Sequence, residues 1–168
     1  RNNTSGTRNT ASGYRSLYAN TTGVCNTAIG DESLCCNTTG LNNTALGQQA
    51  LKLNTTASYN TAVGSCTLYA NTTGAQNTGI GYLALAANTT GGYNVSVGAC
   101  SLKANTTASY NTATGVYALN ATTTGACNTA HGYAALIANT TGSTNTAFGY
   151  KAVYCSTTVG GNMGMGVC

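Results

Sequence analysis

Apolar residues in this chain come in two short bursts that recur every 17 residues. The first is T-A-h, where h is usually apolar, as in Thr27-Ala28-Ile29. The second is a small residue followed by Leu, as in Ser33-Leu34 and Ala50-Leu51. Gly, Asn and Thr fill the space between them. The whole unit reads N-T-A-h-G-x-x-A-L-x-x-N-T-T-G-x-x, numbered here as positions 1 to 17. Neither burst is long enough for an amphipathic helix, and Gly, Thr and Asn are poor interior helix residues. The pattern predicts two or three very short strands per unit, joined by tight corners. A strict period of this length marks a repeat architecture in which each unit lies on the one before. The predicted fold is therefore all-β: a parallel β-solenoid, or β-roll, with 17-residue coils, about ten of them. Residues 1–168 form a single array, with coils starting at Asn9, Asn26, Asn43, Asn60, Asn77, Asn94, Asn111, Asn128, Asn145 and Asn162.

Stacking turns each position into a column with a spacing of ~4.8 Å. Position 5 is Gly in every coil, from Gly13 to Gly166, as a corner with positive φ or no room for a Cβ demands. Position 9 is Leu from Leu17 to Leu136 and then Val153; it is the expected core column. Position 4 (Ile29, Leu46, Val63, Ile80, Val97, Phe148, Met165, with Ser12, Thr114 and His131 as exceptions) is expected to be partly buried or to face a neighbouring chain. The Asn9–Asn162 column is expected to form a stacked amide ladder. The tyrosines fall mainly on positions 6, 10 and 17, the most variable ones, and should point outward. With about two large apolar side chains per coil the core is thin. Backbone ladders, or a second apolar surface covered by other chains, must add to it.

Composition narrows the function. Only 5% of residues are charged, and Pro and Trp are absent. The six cations are scattered, and the only acids are the neighbours Asp31 and Glu32. No basic stripe forms, which argues against nucleic acid. Acid–base catalysis needs titratable groups gathered from distant positions, and the chain has few to gather, so the reading is not an enzyme. No run approaches the ~18 apolar residues of a membrane span. His131 is the single histidine. No cofactor or metal site is expected, although covalent glycans could be attached.

Units such as Asn26–Gly40 (N-T-A-I-G-D-E-S-L-C-C-N-T-T-G) and Asn145–Val153 (N-T-A-F-G-Y-K-A-V) resemble the head and stalk repeats of trimeric autotransporter adhesins. They are also similar to the N-T-A-I-G-x-x-A-L repeats of tail-fibre-like surface proteins. The resemblance covers the whole chain. It implies a parallel β-roll, often trimeric, serving as an extracellular fibre or adhesive shaft. Two features depart from the adhesin heads: their coils are shorter, and their repeats are usually poor in Cys.

The chain has eight cysteines. An even number in a Thr/Asn-rich chain of extracellular character favours disulfides. Residues in consecutive coils offer pairs: Cys25 with Cys35 or Cys36, Cys100 with Cys127, and Cys155 with Cys168. Cys66 is left for a link between chains. The sequon N-x-S/T recurs at position 12, making Asn3, Asn20, Asn37, Asn54, Asn71, Asn88, Asn105 and Asn139 candidate glycosylation sites. The competing reading of N-T-T-G is plain turn chemistry. Both ends fall inside a repeat, and the phases of Arg1 and Cys168 would let copies stack nearly in register. The expectation is a structural subunit of an extracellular or cell-surface filament, glycosylated, whose partner is itself, head to tail or laterally. The alternatives are an adhesin head binding a glycan or host surface, and an ice binder.

Overall fold

A computed structural model describes residues 2–167. The chain winds into a β-solenoid. Each coil contributes one three-residue strand at positions 2–4. These are β1 (Thr10–Ser12), β2 (Thr27–Ile29), β3 (Thr44–Leu46), β4 (Thr61–Val63), β5 (Thr78–Ile80), β6 (Val95–Val97), β7 (Thr112–Thr114), β8 (Thr129–His131), β9 (Thr146–Phe148) and β10 (Met163–Met165). They form one ten-stranded parallel sheet in chain order. The register is set by the period: Thr10 faces Thr27, Ala28 faces Ala45, and Ile29 faces Leu46. Equivalent residues therefore stack, as the repeat requires.

The second burst does not form the predicted second strand. Its Leu sits at positive φ in coil after coil, +47° at Leu34 and +52° at Leu68. Positions 7 and 17 do the same, as at Glu32 (+53°) and Tyr59 (+62°). Left-handed non-glycine residues cost about 1–2 kcal/mol each. Here the conformation turns the Leu side chain inward, where Leu34 through Leu136 are fully buried. It also aims the Leu N–H at the next coil, as in Leu34 N to Ala50 O, 3.0 Å. A strand at this point would put neighbouring side chains on alternate faces and could not turn the coil. Position 5 glycines hold φ between +109° and +138°. A Cβ on Gly64 would lie 2.8 Å from the Gly81 carbonyl carbon and oxygen, which explains why this position is never substituted.

The interior combines the Leu column, the position 3 alanines and two columns of asparagine. Ala28, Ala45, Ala62, Ala113 and Ala130 are fully buried beside the leucines. Turns as well as strands bond from coil to coil: Gly30 N to Ser12 O (2.8 Å), Cys36 N to Lys52 O (3.0 Å) and Thr38 N to Thr55 O (2.9 Å). This bonding around the perimeter supplements the thin core.

Candidate functional surface

The two asparagine columns differ in how they bond. At position 1, the Oδ1 of each Asn accepts the backbone N–H of the next: Asn26 N to Asn9 Oδ1 (2.9 Å), Asn60 N to Asn43 Oδ1 (3.0 Å). Its Nδ2 donates to the position 15 carbonyl of its own coil, as from Asn26 to Gly40 O (2.8 Å). At position 12 the side chains bond each other. Asn37 Nδ2 donates to Asn20 Oδ1, Asn54 to Asn37, Asn71 to Asn54, Asn88 to Asn71 and Asn105 to Asn88, at 2.7–3.0 Å. The second Nδ2 hydrogen goes to position 15, as in Asn54 to Ala57 O (3.0 Å). The amide ladder expected at position 1 is present in part, with direct bonds from Asn43 to Asn26, Asn94 to Asn77, Asn128 to Asn111 and Asn162 to Asn145 beside the side-chain-to-backbone bonds; the unbroken run of amide-to-amide bonds stands at position 12, from Asn3 to Asn105. Each column is buried, where unsatisfied amides would be costly.

This changes the reading of the sequons. Asn20, Asn37, Asn54, Asn71, Asn88, Asn105 and Asn139 are buried. Their Nδ2 groups are engaged on two partners, as Asn139 is with Thr122 Oγ1 and Gly142 O. A sugar on Nδ2 and this fold exclude each other at those seven positions. Asn3 is exposed, though its amide still bonds Gly6 O and accepts from Asn20. The recurring N-T-T-G is turn chemistry after all: Thr21 N, Thr22 N, Gly23 N and Thr21 Oγ1 all converge on Thr38 O.

The ladder stops once in the middle of the array. Coil seven carries Thr122 at position 12, its asparagine being displaced to Asn120. Thr122 Oγ1 donates to Asn139 O (3.1 Å) and offers nothing to Asn105. Asn105 Oδ1 is in consequence the one buried side-chain polar atom without a partner among the described residues.

The cysteines do not pair as expected. Cys25, Cys35, Cys36, Cys66, Cys100, Cys127 and Cys155 are free thiols, and Cys168 lies outside the described residues. Membership of consecutive coils satisfies reach along the axis only. The proposed partners occupy positions 7, 10, 11 and 17, which stand at different points around the coil, and a disulfide tolerates little lateral separation. Cys35 is buried, and that burial, with Cys36 beside it, pushes its thiol pKa up. Cys66 is half-buried and its Sγ lies 3.6 Å from Gln49 Oε1. Free thiols withdraw the disulfide argument for an oxidising compartment.

The ion pairs among the described residues meet at Glu32. Glu32 Oε2 accepts from Lys52 Nζ (2.7 Å) and Gln49 Nε2 (3.0 Å), and Arg15 stands 3.8 Å from its Oε1. The Lys52 hydrogen bond, then that from Gln49, holds the Glu32 carboxyl below its ordinary pKa. All four belong to neighbouring coils, so they brace the stack.

The outer face of the sheet is the main exposed feature. Position 3 points in; positions 2 and 4 point out. Position 2 is Thr in most coils. Position 4 is apolar and exposed: Ile29 39%, Leu46 43%, Ile80 41%, Val97 37% and Phe148 47%. Sequence reasoning left this column between partial burial and an interface; in the single chain it lies partly covered on the surface, with Val63 and Thr114 half-buried. The two columns contain no Lys, Arg, Asp or Glu. His131 is here too, with its Nδ1 against Thr114 Oγ1 and its ring stacked on Phe148 at 4.5 Å. The tyrosines point outward as expected, Tyr14 being 71% and Tyr110 60% exposed. Several stack between neighbouring coils: Tyr93 on Tyr110 (5.1 Å) and Tyr133 on Tyr150 (5.4 Å). Each stacked pair covers one face of each ring, reducing what a sugar could lie against.

Among the described residues no cluster of three metal-ligating side chains occurs, and no helix is long and apolar enough to cross a membrane. No protein-family model, curated protein or solved structure matches the chain, so its functional reading rests on the geometry of its own coils.

Proposed function

We propose that this chain is a structural element, a stiff rod that forms part of an extracellular or cell-surface filament, and that it carries out no catalysis. The observation that carries the reading is the coil-to-coil bonding around the perimeter. Strands, turns and both asparagine columns all bond along one axis, and position 12 breaks only at Thr122 and Ser156. Stiffness along one axis is what such a network supplies. Ten strands at ~4.8 Å make a rod on the order of 48 Å long. The resemblance to adhesin and tail-fibre repeats points the same way. Negative-stain electron microscopy of the purified chain tests it. Uniform rods or filaments of constant width are expected. Irregular globular particles would overturn the proposal, and discrete trimeric heads would favour the adhesin alternative.

A further inference from the structure

We propose that the outer face of the ten-stranded sheet is a lateral docking surface for a second copy of this chain, the two sheets packing face to face through positions 2 and 4. The proposal rests on the rod reading and adds its partner.

The first support is that the fold does not require position 4 to be apolar. Ser12 and Thr114 occupy it in β1 and β7 with the same register as their neighbours. Strand propensity would be met by Thr throughout. Yet Ile29, Leu46, Val63, Ile80 and Val97 fill five consecutive coils. Four of the five are at least 37% exposed in the single chain. A continuous apolar row that the chain does not bury itself marks a contact surface.

The second support is charge and shape. No charged residue interrupts the two columns, so a copy of the same face meets no like-charge repulsion in either orientation. The strands are three residues long and strictly in register. Side chains thus form a regular grid, with ~4.8 Å along the axis and about 7 Å between positions 2 and 4. Two such grids interdigitate at the ~10 Å spacing of packed sheets.

The third is area. A face about 48 Å by 10 Å gives a footprint of roughly 480 Å² on each copy. The total of about 1,000 Å² is at the lower bound for a biological interface. Pairing of the isolated chain should accordingly be weak, in the micromolar range, and should strengthen with the number of coils aligned.

Sedimentation equilibrium of the chain across about 1–200 μM provides the test. The expected result is a reversible monomer–dimer equilibrium. The triple variant I29K/L46K/I80K, which sets lysines into the face, should weaken it by a factor on the order of 100 or more. The milder variant I29T/L46T/I80T copies the residue that Thr114 already places in the fold, and should also weaken pairing with the circular dichroism spectrum unchanged. Lysine at Tyr14, Tyr59 and Tyr110, outside the face, should leave pairing intact. A chain that stays monomeric throughout, or threonine variants that pair as well as the parent, would overturn the proposal even if rods are seen by microscopy. Inhibition of ice growth by a monomeric parent, lost in the threonine variant, would assign the face to ordered water and would equally overturn it.

Discussion

Replacing Thr122 by Asn should make the protein more stable, although it alters a fully buried residue. Asn105 Oδ1 is a desolvated acceptor with no donor. Such a group costs about 1–3 kcal/mol. The register places residue 122 where every other link of the ladder has its donor: Asn88, one coil earlier, receives the Nδ2 of Asn105 at 2.7 Å. The new Nδ2 would bond Asn105 Oδ1 and the Gly125 carbonyl, and the new Oδ1 would accept Asn139 Nδ2 in place of the 3.3 Å bond to Thr122 Oγ1. The loss is the bond from Thr122 Oγ1 to Asn139 O, worth about 1 kcal/mol net. The balance is a gain on the order of 1 kcal/mol, or about 2–4 °C in Tm for a chain of this size. Asn71→Ala is the converse. It removes a ladder residue with intact neighbours on both sides, leaves Asn54 Oδ1 without a donor and takes one of the two acceptors from Asn88 Nδ2, and should cost roughly 2–5 kcal/mol. Urea unfolding followed by circular dichroism reads both. If Thr122→Asn is neutral or destabilising while Asn71→Ala is mild, the ladder contributes little, and the account of the interior given above is wrong.

Gly64→Ala should be severe, about 3 kcal/mol or more, because φ at this residue is +128° and the added Cβ meets the Gly81 backbone at 2.8 Å; soluble yield and the unfolding midpoint report it. Glu32 has a depressed pKa in the folded chain. Its contribution is therefore full above the unfolded value of about 4.3 and is lost as pH falls through the lower folded value. Glu32→Gln should flatten that part of the stability–pH curve, and an unchanged curve would show that the contacts with Lys52 and Gln49 are idle. Unfolded under non-reducing conditions, the chain should react with maleimide at each of the seven described cysteines; protection of any pair counts against free thiols. Expressed in a glycosylating host, folded protein should carry no sugar on Asn54 or Asn71, as peptide mapping by mass spectrometry would reveal.

The period made the stack, its register and the buried Leu column legible before any coordinates. An unvaried Gly at position 5 also announced its positive φ. Three features were not legible, each for a physical reason. The A-L burst looks like strand because composition reports apolarity, whereas the left-handed turn at Leu34 or Leu68 depends on where the next coil's carbonyl stands. Position 12 stayed divided between sequon and turn because N-T-T satisfies the acceptor motif whether Asn points in or out. The signal that could have identified it was its regularity: Asn at position 12 recurs nearly as faithfully as the leucines, as an interior column does. The cysteine pairs failed because sequence gives axial distance directly and perimeter distance only through the fold.

The amides at position 12 all face one way, each handing a hydrogen to the coil that precedes it in the chain. Their dipoles align from Asn105 back to Asn3, whereas the backbone bonds run both ways between coils, Thr27 N donating forward to Asn43 O and Gly30 N backward to Ser12 O. A coil that extends the amide row must present its asparagine the same way round, since an inverted amide would set oxygen against oxygen. Any polymer that propagates this ladder inherits a direction of growth from a side chain no solvent touches.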